Sequence, residues 1–150
     1  MKENYSLVTG ASSGIGLEIA KYLASKKHNL ILTARNEQKL KDISLELINN
    51  FKIKCDYISC DLSKIESPKE IYDSCNSKNY NINVLVNNAG VPHGSIFEMT
   101  PVKKIKNIFE TNFFSQINLI QLVLRMMKKS NSPSIINIGS LSGVIGGKGN

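Results

Sequence analysis

Short runs of apolar residues alternate along the chain with stretches in which apolar residues recur every three or four positions. Uninterrupted short apolar runs are typical of strands buried inside a parallel sheet, and the longer spacing is typical of amphipathic helices. Strands are predicted over residues 5–8, 29–34, 52–59, 82–86 and 134–138.

Helices are predicted between these strands. The first two are marked by apolar residues at helical spacing: Ile15, Ile19, Tyr22, Leu23, Leu40, Ile43, Leu47 and Ile48. A third opens with a capping box, in which Ser67 is the N-cap, Pro68 lies in the first turn and Glu70 follows three residues after the cap. A fourth begins at Thr100 and Pro101, and a long helix spans residues from about 111 to 129.

Strands that alternate with helices predict an α/β fold, a Rossmann-type doubly wound parallel sheet. Right-handed crossovers and a strand order of 3-2-1-4-5 follow from this topology. Sheets of this kind bind ligands at the carboxyl ends of their strands, around the point where the strand order reverses. A chain of 150 residues is predicted to form one domain around this sheet.

Composition narrows the class of protein. We find neither an apolar run of membrane-spanning length nor a leader sequence, so a cytoplasmic protein without a membrane partner is expected. The net charge of +7 comes from lysines scattered over predicted helix surfaces rather than from a basic patch interleaved with aromatics, so no nucleic-acid partner is predicted. Three cysteines without metal-ligand spacing indicate reduced thiols and no metal site.

The segment TGASSGIG, residues 9–16, lies between the first strand and the first helix. Glycines at 10, 14 and 16 would let the backbone turn sharply and approach a pyrophosphate, for which the helix N-terminus supplies amide donors. The spacing GxxxGxG is neither the GxGxxG fingerprint nor a P-loop. An ordinary glycine turn is the alternative interpretation.

Three further candidates follow other strands. Arg35 ends the second strand, nineteen residues after Gly16, where an arginine accommodates the 2′-phosphate of NADP(H); a solvated arginine is the alternative. Asp61 follows the third strand and could accept a hydrogen bond from adenine, or be a turn aspartate. NNAG, residues 87–90, follows the fourth strand and predicts a tight bend beside a cofactor ribose, or a plain turn.

Together, TGASSGIG, Asp61, NNAG, Asn112 in ETNFFS and the NIGSLSG around Ser140 resemble the short-chain dehydrogenase/reductase family. The resemblance implies hydride transfer between a nicotinamide cofactor and a carbonyl or alcohol. It implies that residues of the glycine segment hold the pyrophosphate and its riboses, namely Gly10, Ser12, Ser13, Gly14, Ile15 and Gly16. Arg35 would bind the 2′-phosphate and favour NADP(H) over NAD(H), Asp61 and Leu62 would contact the adenine, and Asn88, Ala89 and Gly90 the adenosine side.

The resemblance also implies two catalytic residues. Asn112 matches the asparagine that distorts its helix and orders a water for proton relay, and Ser140 matches the serine that polarises the substrate carbonyl. Ser142 is a nearby competitor, although the register of the motif favours Ser140. The family's tyrosine and lysine would fall at positions 153 and 157, and this sequence ends at Asn150. The 150 residues are therefore expected to be a cofactor-binding domain without the substrate-binding part and strands six and seven, inactive alone.

Three functions stay open at this point. The first is the N-terminal part of an NADP(H)-dependent oxidoreductase acting on a small carbonyl or alcohol. In the family the long helix often packs against a second subunit, so a homo-oligomer is expected through residues 111–129. The second is a non-catalytic dinucleotide-binding module, and the third a nucleic-acid-binding domain. The loop of residues 93–95 is interpreted as solvated rather than substrate-facing.

Overall fold

Parallel strands alternate with helices throughout the part of the chain that the computed structural model describes, residues 3–94, 96–128, 130, 132–141 and 145. The strands are β1 Asn4–Thr9, β2 Asn29–Ala34, β3 Cys55–Ser59, β4 Asn81–Asn87 and β5 Ser134–Asn137. The helices are α1 Gly14–Ser25, α2 Glu37–Phe51, α3 Ser67–Ser77, α4 Val102–Phe109 and α5 Ser115–Met127, with a 3₁₀ turn at Phe97–Met99 and a π turn at Glu110–Phe114.

The strands form one sheet in the order β3-β2-β1-β4-β5, so the predicted doubly wound topology is confirmed. All four strand pairs are parallel, and β1 pairs in register with β2 from Tyr5 opposite Asn29 to Thr9 opposite Thr33. The central strands are buried on both faces, which explains their uninterrupted apolar sequences. One core layer packs β1 and β4 against α3 and α5, and the other packs the sheet against α1 and α2.

Helix α1 packs on the sheet through a face that combines small and large apolar residues. Gly16, Ala20 and Ala24 are buried, and Ile19 and Leu23 are partly buried against the core cluster that contains these alanines, whereas Ile15 and Tyr22 are 63% and 62% exposed. The small residues let the helix axis approach β1 and β2 closely. The predicted helix is confirmed, although two of the four apolar residues that marked it, Ile15 and Tyr22, lie outside the packed face.

The start of α3 also differs from the prediction. The helix begins at Ser67, its N-cap is Glu66, and no side chain caps it. The Ser67 hydroxyl instead donates to the carbonyl oxygen of Asp61 at 2.8 Å, because this serine is buried against the end of β3. The capping box proposed from Ser67, Pro68 and Glu70 is therefore absent.

Two other element boundaries differ from the prediction because of the local backbone conformation. β3 begins at Cys55 rather than at residue 52, because Lys52 ends α2 in the left-handed conformation, with φ of 56°. The long helix expected over residues 111–129 begins later, because the π turn of Glu110–Phe114 follows α4 and precedes α5, which spans Ser115–Met127. Asn112 lies at the centre of that π turn, so the helix distortion expected at this residue is present.

Cys55, Cys60 and Cys75 are free thiols, and burial raises the pKa of Cys75 to about 12. The described residues contain no group of three side chains arranged to hold a metal ion. None of the described helices is both long enough and apolar enough to cross a membrane.

Candidate functional site

The glycine segment after β1 packs directly against the segment after β4. Gly10 has a φ of +66°, and a Cβ placed on it would lie 2.8 Å from Asn88 Nδ2 and 2.9 Å from Ala89 Cα. A Cβ on Gly16 would overlap both Asn88 Nδ2 and the Gly10 carbonyl oxygen. These two glycines are therefore required for the close approach of the two loops.

Gly14 serves a different purpose. Its φ of +55° favours glycine, but a Cβ there would have nothing within 4 Å, so the space in front of it is open. Gly14 begins α1, and no side chain caps this helix. The first backbone N–H groups of α1 thus lack both helical and side-chain partners, and they form a donor set for an anion at this open surface.

The Thr9 hydroxyl joins the ends of β1 and β4. It accepts the backbone N–H groups of Asn88 and Ala89, each at 2.9 Å, and donates to the Val86 carbonyl at 3.3 Å. The Asn88 side-chain amide donates in return to the carbonyl oxygens of Thr9 at 3.0 Å and Gly10 at 3.3 Å. The tight bend predicted for NNAG is therefore held by side-chain hydrogen bonds, as expected, and the Thr9 hydroxyl accepts two of them.

Asn87 connects β4 to β5 at the same edge of the sheet. Its backbone carbonyl accepts the Ile138 N–H at 2.8 Å, and its side-chain amide donates to Asn137 Oδ1 at 2.9 Å. Asn87 is fully buried, so these bonds fix where β5 ends. Ser140 follows two residues after Ile138 and is thereby kept beside the NNAG segment.

A cleft of about 420 Å³ lies at the carboxyl edge, on the side of β2 and β3. It collects nine of the predicted cofactor residues: Gly10, Ser12, Ser13, Arg35, Asp61, Leu62, Asn88, Ala89 and Gly90. The other three do not line it: Ile15 lines the neighbouring cleft described below, and Gly14 and Gly16 line neither. Asn36, at the N-terminus of α2, is a lining residue that the sequence did not single out.

Two charged side chains lie at the far end of this cleft. Arg35 is exposed, and among the described residues it forms no ion pair within 4 Å. Partial burial alone would raise the pKa of Asp61, but hydrogen bonds from Ser63 and the positive charges of Arg35 and Lys64 outweigh it, so this pKa lies below its usual value. Asp61 is thus an ionised hydrogen-bond acceptor, and Arg35 is a cation without a carboxylate partner in this part of the structure.

A second cleft of about 920 Å³ adjoins the first along the segment of residues 88–91. Both predicted catalytic residues, Ser140 and Asn112, line it, as does His93. Of the loop of residues 93–95, interpreted as solvated, His93 is half-buried and lines the same cleft as Ser140, Gly94 is exposed, and Ser95 lies outside the described residues. Ser142, the competing serine, lies outside the described residues.

Asn112 and Gln116 hold the NNAG segment from the helix side. Asn112 Nδ2 donates to the Val91 carbonyl at 2.9 Å while its Oδ1 accepts the Val91 N–H at 2.8 Å, and Gln116 Nε2 donates to the Ala89 carbonyl at 2.9 Å. The π turn aligns these two side chains with one extended segment. Gln116 was not predicted, because its contact depends on that turn.

Comparison with known proteins agrees with this geometry. The family described as short chain dehydrogenase matches residues 4–150. A very-long-chain 3-oxoacyl-CoA reductase from Coccidioides immitis is 34% identical over 149 residues, covering 96% of this chain and 42% of that protein. The chain thus spans less than half the length of this curated relative.

Solved structures match over a similar extent. A bulky-bulky ketone specific alcohol dehydrogenase from Comamonas testosteroni superposes with a TM-score of 0.88 at 28% identity, over 97% of this chain and 58% of that one. A short-chain dehydrogenase from Sphingobium yanoikuyae in complex with NADPH gives a TM-score of 0.89 at 27% identity, over 97% and 57%.

Proposed function

Because the chain belongs to the short-chain dehydrogenase family, we propose that residues 1–150 are the dinucleotide-binding domain of an NADP(H)-dependent oxidoreductase. The reaction interconverts a small carbonyl compound and its alcohol. One observation carries this proposal: nine residues from four separate loops, each of a type suited to a dinucleotide, line one cleft at the carboxyl edge of the sheet. We place the substrate-binding part outside these 150 residues, which span less than half the length of the 3-oxoacyl-CoA reductase relative.

The residues present fit a dinucleotide. The uncapped N-terminus of α1 and the open space before Gly14 suit a pyrophosphate, whose negative charge is stabilised by backbone N–H groups. Ionised Asp61 suits the amino group of an adenine, which it can bind only as an acceptor. Gly10 and Gly16 keep the glycine segment close to Asn88, so that the two loops lie side by side at the cleft.

Arg35 supports NADP(H) over NAD(H). It is a cation without a carboxylate partner in the described structure, and it lies in the cleft on the adenosine side. A guanidinium binds a phosphate through paired hydrogen bonds, whereas the ribose hydroxyl of NAD(H) would not use its charge. The NADPH bound by the Sphingobium relative, at 27% identity, is consistent with this preference.

The reacting groups of the proposal are assigned to the second cleft, which Ser140 and Asn112 line. When bound, the nicotinamide supplies or accepts the hydride. The Ser140 hydroxyl donates a hydrogen bond to the substrate carbonyl oxygen, where negative charge develops as the carbonyl is reduced. Asn112 keeps the segment of residues 89–91 in place through its two bonds to Val91 and, as in the family, sets the position of a relay water.

Proton transfer needs a further residue, which we place in the continuing sequence. A tyrosine at position 153 would protonate the carbonyl oxygen, and a lysine at position 157 would lower the pKa of its phenol from about 10 toward neutrality. The 150 residues alone would then bind the dinucleotide without turnover. Helix α5 exposes Ile117 and Leu124, and we place a homo-oligomer contact on this helix.

The test is NADPH oxidation by the full-length protein that contains this chain, with acetophenone as the ketone. Ser140→Ala should lower kcat by about 10²–10³-fold while NADPH binding is retained, because the lost group acts only on the carbonyl oxygen. Ser140→Thr keeps a hydroxyl and should keep measurable turnover. Full activity in Ser140→Ala would overturn the assignment of the reacting site.

A further inference from the structure

Helix α4 has an apolar face that the described core does not cover. Val102, Ile105, Ile108 and Phe109 recur at intervals of three and four residues and therefore share one side of the helix. No residue of α4 is buried, and none belongs to either core layer among the described residues. A helix of a globular protein normally buries its apolar stripe, so this face is left for another occupant.

This face lines the second cleft, whose volume is about 920 Å³. Ile105, Ile108 and Phe109 lie along it, and the 3₁₀ turn before α4 adds Phe97, which is 63% exposed. A smaller cavity of about 210 Å³ shares Ile108 and Phe109 with the cleft and adds Phe113. We call the surface formed by Phe97, Ile105, Ile108, Phe109 and Phe113 the α4 groove. Exposed apolar side chains that line one concave surface indicate a binding site.

The amide side chains of the cleft are engaged in holding the backbone beside it. Those of Asn88, Asn112 and Gln116 each donate to a backbone carbonyl oxygen. Among the described residues that line the cleft and the smaller cavity, none is a lysine, arginine, aspartate or glutamate, and the imidazole of His93 is the one group able to become a cation. A carboxylate or phosphate in the α4 groove would lose water without gaining a counter-ion, whereas an alkyl chain is stabilised there by leaving water.

Resting on the proposed function, we infer that the α4 groove binds the apolar chain of the substrate. The preferred substrate class is then a neutral ketone, or its alcohol, that carries an extended alkyl chain. Four of the five groove residues line the same cleft as Ser140, the group assigned to the carbonyl oxygen, so a chain attached to that carbonyl has this apolar surface within the same cleft. The volume of the cleft lies at the upper end of the range for small-molecule sites, and a short ketone would leave the apolar rings in water.

A series of unbranched methyl ketones tests the groove in the full-length protein with NADPH: 2-butanone, 2-hexanone, 2-octanone and 2-decanone. We expect kcat/KM to rise about threefold for each added methylene, mainly through a lower KM, until the groove is filled, because each buried CH₂ leaves water. A flat series would mean that another part of the protein or a second copy covers the apolar face of α4, and it would overturn the inference.

Two ketones of one shape test the exclusion of charge at pH 8, where an imidazole is ordinarily neutral. The first, 5-methyl-2-hexanone, ends in an isopropyl group, and the second, 4-oxopentanoate, has a carboxylate of nearly the same shape in its place. We expect kcat/KM to be at least about tenfold lower for the carboxylate, since it finds no counter-ion in the groove. Equal values for the two ketones would overturn the inference.

Two variants each remove one ring from the groove. Phe97→Ser and Phe109→Ser change exposed side chains, so we expect the fold to tolerate both. Each should lower the ratio of kcat/KM for 2-decanone to that for 2-butanone at least about threefold. The matched control is Leu45→Ser, the same kind of change at an exposed residue of α2 outside the cleft, and it should leave the ratio unchanged. An unchanged ratio in both phenylalanine variants would overturn the inference.

The same assays distinguish a failure of this inference from a failure of the proposed function. If 2-butanone is reduced with NADPH but the series is flat, the inference fails and the proposed function stands. If NADPH binds and neither acetophenone nor any of these ketones is reduced, the proposed function fails, and this inference fails with it.

Discussion

Thr9 and Asn88 form a reciprocal pair at the carboxyl edge of the sheet. The Asn88 backbone N–H donates to the Thr9 hydroxyl at 2.9 Å, and the Asn88 side-chain amide donates to the Thr9 carbonyl at 3.0 Å. The two residues are 79 positions apart in sequence. One fully buried hydroxyl thus sets the distance between the glycine segment and the NNAG segment, the two halves of the proposed dinucleotide site.

Replacing Thr9 by valine should destabilise the fold as well as the site. Thr9→Val keeps the shape but leaves the N–H groups of Asn88 and Ala89 without their acceptor, at a cost of about 2–4 kcal/mol in the free energy of unfolding. Thr9→Ser keeps the hydroxyl and should cost about 1 kcal/mol for the lost methyl group. Urea unfolding followed by circular dichroism measures the free energy of unfolding of both variants. Equal losses in the two variants would show that the Thr9 hydroxyl does not hold the two segments together.

Gly16→Ala tests the close contact between the two loops. The added methyl group would overlap Asn88 Nδ2 and the Gly10 carbonyl, so we expect a loss of about 1–3 kcal/mol in unfolding free energy and a clear loss of NADPH binding. Gly94→Ala is the matched control, because a Cβ there has nothing within 4 Å and its φ is not in the left-handed region. A Gly16→Ala protein with wild-type stability and binding would contradict the packing described here.

Asn112→Ala should release the Val91 backbone. In the native protein the Val91 N–H is bonded to Asn112 Oδ1, and the variant leaves it to water. We expect its amide hydrogen exchange to accelerate about tenfold or more, because one local bond protects it. Gln116→Ala frees the Ala89 carbonyl and removes no N–H acceptor, so Val91 should remain protected in that control. If the hydrogen-exchange rate of the Val91 amide is unchanged in Asn112→Ala, Asn112 does not position this segment.

Asp56 should contribute a pH-dependent part of the stability. Its carboxylate accepts from Tyr80 Oη at 2.7 Å, the Tyr57 N–H at 2.8 Å and Lys78. Burial would raise the pKa of Asp56, but these hydrogen bonds outweigh it, so the folded-state pKa lies below the unfolded value of about 4. The stabilisation is therefore complete above about pH 4–5 and is lost as the pH falls through the lowered pKa.

Asp56→Asn is the corresponding variant. It should lose about 1–2 kcal/mol at pH 7 and show a weaker decline on acidification, as measured by urea unfolding between pH 7 and pH 2.5. Asp73→Asn removes a carboxylate from an exposed i,i+4 pair with Lys69, and it should change stability by no more than about 0.5 kcal/mol. If the stability of Asp56→Asn declines on acidification as steeply as that of the wild type, other carboxylates determine the acid sensitivity.

Features that repeat along the chain were predictable from the sequence. Buried parallel strands have continuous apolar sequences and glycines follow the first of them, so the strand order and the position of the glycine segment follow from local patterns. The burial of individual α1 residues was not predictable in this way, because Ile15 has the same helical spacing as Ile19 and yet is exposed, while Ala20 is buried on the sheet.

Contacts between distant residues were also hidden. In the sequence Thr9 marks only the end of a strand. The fold shows that its hydroxyl accepts the backbone N–H groups of residues 88 and 89. The π turn changes the direction in which Asn112 and Gln116 point, and the spacing of apolar residues in the sequence does not indicate this turn. His93, which lines the second cleft, lies 3.0 Å from the Thr100 hydroxyl, seven residues later, and no sequence pattern indicates this contact.

The central claim is that this cleft binds NADP(H) with Arg35 on the 2′-phosphate. Its direct test is the dissociation constant for NADPH and for NADH, obtained by fluorescence titration of the wild type, Arg35→Asp and Arg125→Asp. Arg125 lies in the last turn of α5 and is exposed, so its variant makes the same change in net charge away from the cleft. We expect the wild type and Arg125→Asp to bind NADPH at least about tenfold more tightly than NADH, and Arg35→Asp to reverse that order. Equal affinities for the two dinucleotides, unchanged by Arg35→Asp, would contradict the claim.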